Sequence, residues 1–164
     1  AIPAIWSYGH RNPQGLTLDP RDGVLFSTEH GPRGGDELNR IKPGLNYGWP
    51  VVTYGMNYNG TPMVGITEKE GIEPPLTYWV PSLAVCGLDF YTGTLFPKWQ
   101  HDLLSGGLAE KEVRRIRVRD GKVTEQEILL KDIGRVRDVA GAPDGSIYVI
   151  LNSPDRIVRM IPAK

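Results

Sequence analysis

"DVAGAPDGSIYVIL", residues 138 to 151, decides the fold. Apolar residues alternate on both sides of Pro143-Asp144-Gly145, which reads as two short strands joined by a tight turn. The phrase has a counterpart near the other end of the chain, "GLTLDPRDGVLFST" at residues 15 to 28, with Pro20-Arg21-Asp22-Gly23 as its turn. A third, looser copy lies between them. It runs through 87–91, a turn at Thr92-Gly93, 102–106, 113–118 and, past the Asp120-Gly121 turn, 127–130. A further strand, 156–161, follows the last hairpin.

Three copies of a small antiparallel sheet predict an all-β chain built as a β-propeller, each blade burying its faces against its neighbours. Three blades do not close a ring. The expected arrangement is therefore a half-propeller that pairs with a second copy of the chain or with a half lying elsewhere. A β-sandwich with similar turns is the competing reading, and the uneven spacing of the copies speaks for it.

Composition agrees with strands and turns, since 20 glycines and 14 prolines in 164 residues exceed the usual share of about 12%. Nineteen Lys and Arg balance nineteen Asp and Glu, so no net field draws the chain to nucleic acid or an anionic membrane. A small ligand or neutral partner is expected. The lone Cys86 excludes an internal disulfide and a multi-cysteine metal site. The opening, Ala1-Ile2-Pro3-Ala4-Ile5-Trp6, has no basic n-region and no long apolar run. It therefore predicts neither a signal peptide nor membrane insertion in this chain, and reads as processed or cut from something longer.

In a propeller, the segments preceding first strands gather at one mouth of the central channel. The polar outliers fall there: 7–15 before the first hairpin, 30–36 after it, and 134–138 before the last. Arg11, Asn12, Arg135 and Arg137 would then aim at one axis. Arg135 and Arg137 alternate along an extended segment and present two planar forks on one side, suited to a multiply acidic ligand. The alternative for such a pair is a solvated strand face. Gly31-Pro32 offers two successive carbonyls with Asp36-Glu37 close by, an arrangement that suits a hard cation such as Ca²⁺. Solvated acids in a turn are its plain alternative. His10 and His30 read as hydrogen-bonded structural imidazoles.

"GHRNPQGL", "EHGPRGGDELN", "PGLNYGWP" and "RVRDVAGAPDG" together resemble the soluble PQQ-dependent aldose sugar dehydrogenases of the glucose/sorbosone dehydrogenase family, which are six-bladed propellers. The resemblance covers residues 1–164 as one domain and matches the C-terminal half of the family's propeller. It implies that Arg11 sits over the cofactor near the reacting sugar and that Asn12 binds PQQ. Gly31 and Pro32 would hold the Ca²⁺ that PQQ chelates, with Asp36 behind them. Glu37 and Tyr47 match a second, structural Ca²⁺ site, and Arg135 and Arg137 pair with PQQ carboxylates. Ser82 falls where the family carries a cofactor-binding Thr. Ala109 falls near a Lys that contacts PQQ in some members, and Lys111 would need a shift of register to replace it.

The family's general-base His and neighbouring Asp lie in the N-terminal half, and none of His10, His30 and His101 matches that motif. The implied reaction moves a hydride from C1 of an aldose to PQQ, giving a lactone, and a separate acceptor takes the electrons. Export to the periplasm is implied by the family. A non-catalytic binding or adhesion propeller is the rival reading, and retention of Arg135 and Arg137 speaks against it.

Overall fold

The structure is a computed structural model that describes residues 3–63 and 65–163; Ala1 and Ile2 of the opening run lie outside them. Strands β1 (Pro13–Leu18), β2 (Leu25–Glu29), β3 (Asp36–Ile41) and β4 (Thr77–Trp79) form one antiparallel sheet in that order. Strands β5 (Val85–Phe90), β6 (Leu103–Gly107), β7 (Glu112–Arg119) and β8 (Lys122–Lys131) form the second. The third holds β9 (Arg135–Gly141), β10 (Ile147–Asn152) and β11 (Arg156–Met160). Among the described residues the helical content is one 3-10 turn, Pro97–Trp99.

The turns follow their residues. Asp120 and Gly121 both take positive φ, 50° and 70°, as a two-residue hairpin with right-handed strand twist requires. Gly23 and Gly145 close the other two hairpins in the same left-handed region, at φ 74° and 85°.

Side-chain alternation gives the middle sheet two apolar faces. Leu103 and Ile116 join Phe26, Leu38 and Trp79 of the first sheet in one core. Leu104 and Val113 join Val136, Val139, Ile147 and Val149 of the third sheet in another. Each fully buried side chain of this size stabilises by about 1.5–3 kcal/mol, so the three sheets are fastened face to face as blades. The sandwich reading is replaced by a three-bladed arc of a propeller. The uneven spacing behind it comes from residues 42–76, a long excursion inserted between β3 and β4.

The innermost strands are β1, β5 and β9, with β1 beside β5 and β5 beside β9. Each carries a β-bulge at the corresponding place, leaving Gln14, Gly87 and Arg137 without a cross-strand partner. A bulge re-aims the side chains around it and sharpens the local twist. Gly87 is needed here, because a Cβ on it would come within 2.6 Å of Asp138 Oδ1. The three bulges form one rim, and the candidate site lies along it.

Both flanks of the arc are open and apolar. Leu16 and Leu18 of β1 are 64% and 54% exposed on one side. Tyr148, Ile150 and Ile157 lie outward on the third blade, at 38%, 43% and 69%.

Candidate functional site

Arg11 stands just before β1, its backbone N–H donating to Glu29 Oε2 at 2.7 Å. Its guanidinium lies 5.3 Å from the centre of the Trp49 ring. Nη1 donates to the carbonyl oxygens of Gly31 at 2.9 Å and His30 at 3.2 Å. These carbonyls belong to a loop curled tightly on itself, in which a Cβ on Gly31 would fall 2.1 Å from the carbonyl oxygen of Gly34. Only glycine fits, and the loop gathers main-chain oxygens as a result.

Asp36 fixes the loop from below. It is fully buried and accepts from Gly31 N–H at 3.1 Å, from Val85 N–H at 3.2 Å, and from the Ser82 hydroxyl at 2.8 and 2.9 Å. The Ser82 proton is committed to Asp36, so toward a ligand this hydroxyl acts as an acceptor while that bond holds. The turn between β6 and β7 docks beside it, Ala109 N–H donating to Leu83 O at 3.0 Å. Ala109 and Lys111 share this one turn, with Lys111 at φ 51°. A cleft of about 490 Å³, lined in part by Gly31, Pro32, Met56, Tyr58, Val80 and Ser82, opens alongside.

On the channel side, a run of contacts crosses all three blades. Gln14 Nε2 donates to Asn12 Oδ1 at 2.8 Å, and Cys86 Sγ meets Gln14 Oε1 at 3.9 Å. Arg137 of the third blade is near enough to act on the charge of the same sulfur. Burial pushes the Cys86 thiol up, while Arg137 pulls it the other way. Asn12 and Arg137 are thereby linked through Gln14 and Cys86 along the innermost strands. Val136 is in the core while Arg135 is half-buried and Arg137 exposed, so both arginines point out of the blade. The bulge at Arg137 replaces the strict alternation expected there. Among the described residues neither arginine forms an ion pair, whereas Arg21, Lys42, Arg114, Arg115, Arg117, Arg119, Lys131 and Arg159 each do.

Beneath Arg11, Glu29 and Glu37 approach each other across Asn39. Its Nδ2 donates to Glu29 Oε1 at 2.8 Å and Glu37 Oε2 at 3.1 Å, while its Oδ1 is buried without a partner among the described residues. Burial, opposed by the Asn39 bond, raises the Glu37 carboxyl to about 7. A cavity of about 20 Å³ lined by Glu29, Gly31, Glu37 and Tyr47 adjoins them, room for one water or ion. The Tyr47 hydroxyl donates to Arg40 O at 2.6 Å and accepts from Lys42 N–H at 2.9 Å. That hydroxyl is spent on its own turn, so Tyr47 would meet a cation through its main-chain oxygen. Among the described residues no three His, Cys, Asp or Glu side chains converge as a metal-binding group. The oxygens present nonetheless suit a hard cation, because carbonyls, an orphaned amide oxygen and carboxylates are the ligands it prefers.

The histidines are held as structural groups. His10 bonds Ser7 Oγ at 2.9 Å and Glu29 Oε1 at 3.1 Å and stacks on Tyr47 at 4.7 Å. His30 Nε2 donates to Val85 O at 2.5 Å. His101 lies at the opposite strand ends, beside Phe90.

Sequence reasoning missed Glu29, Gln14, Asn39 and Cys86. Glu29 and Gln14 sit inside the motifs "EHGP" and "HRNPQG" and were legible by position, whereas Cys86 is placed only by blade packing.

The glucose/sorbosone dehydrogenase family model matches residues 1–159. The chain belongs to the glucose/sorbosone dehydrogenase family. It is 45% identical over 162 residues to the aldose sugar dehydrogenase YliI of Escherichia coli K12, covering 96% of this chain and 44% of that protein. A crystal structure of a glucose dehydrogenase superposes with a TM-score of 0.92 at 46% identity, over 99% of this chain and 48% of that one. The PQQ-bound aldose sugar dehydrogenase of Streptomyces coelicolor does so with 0.72 at 28%, over 94% and 44%. The chain thus spans about half the length of the family relatives it matches.

Proposed function

We propose that this chain is the cofactor-side, C-terminal half of a PQQ- and Ca²⁺-dependent dehydrogenase that oxidises aldoses at C1 to lactones and passes the electrons to a separate acceptor. One observation carries the reading: Arg135 and Arg137 stand on an innermost strand, turned out of the core and, among the described residues, free of ion pairs, in a family that includes a PQQ-bound relative. Two unpaired guanidinium forks match the carboxylates of such a cofactor. When bound, PQQ takes up the hydride and Ca²⁺ polarises it as a Lewis acid.

The chain's own residues orient and stabilise. Arg135 and Arg137 hold carboxylates, and Asn12, fixed by Gln14, supplies an amide at the same rim. Gly31 and Pro32 turn main-chain oxygens to the cation, and Ser82 and Asp36 fix the floor beneath them. Glu37, with Glu29 and the Tyr47 main chain, would hold the second Ca²⁺. Arg11 is the candidate catalytic residue, a positive charge available to oxygen that becomes negative as the sugar is oxidised. The proton acceptor for the C1 hydroxyl would come from outside this chain, since His10 and His30 are committed to Glu29 and Val85.

The open flanks, Leu16 and Leu18 on one side and Ile150 and Ile157 on the other, support a partner that completes the ring, either the family's N-terminal half or a second copy of this chain. No helix among the described residues is long and apolar enough to cross a membrane. Periplasmic residence is part of the proposal, on the strength of the family resemblance. Dye-linked oxidation of aldoses by the completed ring, dependent on added PQQ and Ca²⁺ and lost with Arg11→Ala, is the test. Full aldose turnover without PQQ would contradict the reading.

A further inference from the structure

Arg11 Nη1 donates at 2.9 Å to the Gly31 carbonyl oxygen, which is a Ca²⁺ ligand in the proposed function. The guanidinium is held in place by a second bond to His30 O at 3.2 Å, by the Trp49 ring 5.3 Å away and by a backbone anchored on Glu29 at 2.7 Å. Arg11 itself forms no ion pair among the described residues, and the Glu29 carboxylate beneath is divided among the Arg11 backbone, His10 and Asn39. A full positive charge therefore faces the same oxygen as the divalent ion. A carbonyl has two lone pairs and can meet both, but two cations within one oxygen's reach repel each other.

We infer that Arg11 sets the cation affinity of the Gly31-Pro32 loop: it holds the affinity for the bare ion down, and an anionic ligand that neutralises both charges binds cooperatively with the ion. The inference rests on the proposed cation site. It gives Arg11 a role that precedes chemistry, making cation and acidic cofactor enter as a pair, since whatever factor one exerts on the other's affinity is reciprocal. A strongly bound ion without its cofactor is thereby avoided.

The test is calorimetric titration of the 164-residue chain with Ca²⁺ alone, in wild type, Arg11→Gln and Arg11→Lys, then with Ca²⁺ in the presence of PQQ. Removing a like charge at this range is expected to tighten Ca²⁺ binding about tenfold or more in Arg11→Gln. Arg11→Lys keeps the charge and should stay near wild type, which separates charge from any loss of folding. The enhancement of Ca²⁺ binding by PQQ should shrink in Arg11→Gln. Equal or weaker Ca²⁺ binding by Arg11→Gln overturns the inference and leaves the cation site standing. Absence of Ca²⁺ binding in all three chains removes the cation site and the inference with it.

Discussion

Asp36 holds the Ser82 hydroxyl with both carboxylate oxygens, at 2.8 and 2.9 Å, across 46 positions of sequence, and takes the Gly31 and Val85 N–H groups on the same carboxylate. One buried acid thus ties the carbonyl loop of the first blade to the entry of the second. Truncation strands two buried main-chain donors and the half-buried Ser82 hydroxyl at once. Asp36→Ala is expected to lose about 2–4 kcal/mol in urea unfolding. Ser82→Ala leaves Asp36 two of its donors and should lose only about 1 kcal/mol. Equal losses would mean that the main-chain bonds contribute little.

Arg135 and Arg137 should separate binding from stability. With no ion pair to lose, the double substitution Arg135→Ala and Arg137→Ala is expected to change unfolding free energy by less than about 0.5 kcal/mol. PQQ affinity, followed by absorbance in a reconstituted ring, should fall about 100-fold or more. Unchanged affinity would remove the carboxylate assignment.

The three blades were legible because their turns announce themselves. Pro-Arg-Asp-Gly, Asp-Gly and Pro-Asp-Gly leave few backbone choices, and alternation does the rest. Strand β4, Thr77–Trp79, was not legible, since three residues beyond a long excursion carry no periodic signal and are placed by pairing with Asp36, Glu37 and Leu38. Motif position brought out the arginines and the Gly31-Pro32 loop. It did not bring out the bulges, which are set by register between strands, or the burial that commits the Ser82 and Tyr47 hydroxyls to protein partners.

Glu37 makes stability depend on pH. Its carboxyl is raised from 4.5 to about 7 in the folded chain, chiefly by burial. Between those values the folded chain keeps a proton that the unfolded chain has released, so stability falls as pH rises from 4.5 to 7 and levels off above. With a chelator present, the loss attributable to this group should be about 1–3 kcal/mol, discounted because Glu37 is only half-buried. Urea unfolding at intervals of pH should show this component vanish in Glu37→Gln. A slope that survives the substitution assigns it to another group.

The Tyr47 hydroxyl closes the turn from Arg40 to Lys42. Tyr47→Phe should lose about 1–2 kcal/mol of stability, yet leave Ca²⁺ affinity close to wild type because the main-chain oxygen remains. A tenfold loss of Ca²⁺ affinity would show that the hydroxyl is itself a ligand.

The open flanks should govern association. Ile150→Glu and Ile157→Lys place charge on the apolar outer face of the third blade and are expected to abolish ring closure in native mass spectra without unfolding the arc. Closure that persists would locate the contact elsewhere.

Titration of the purified chain with PQQ, followed by absorbance with Ca²⁺ present and again with a chelator, tests the central claim most directly. The account predicts saturable binding that needs Ca²⁺ and weakens sharply when both Arg135 and Arg137 are replaced. A folded chain, confirmed as such by its unfolding transition, that shows no saturable binding under either condition would contradict it.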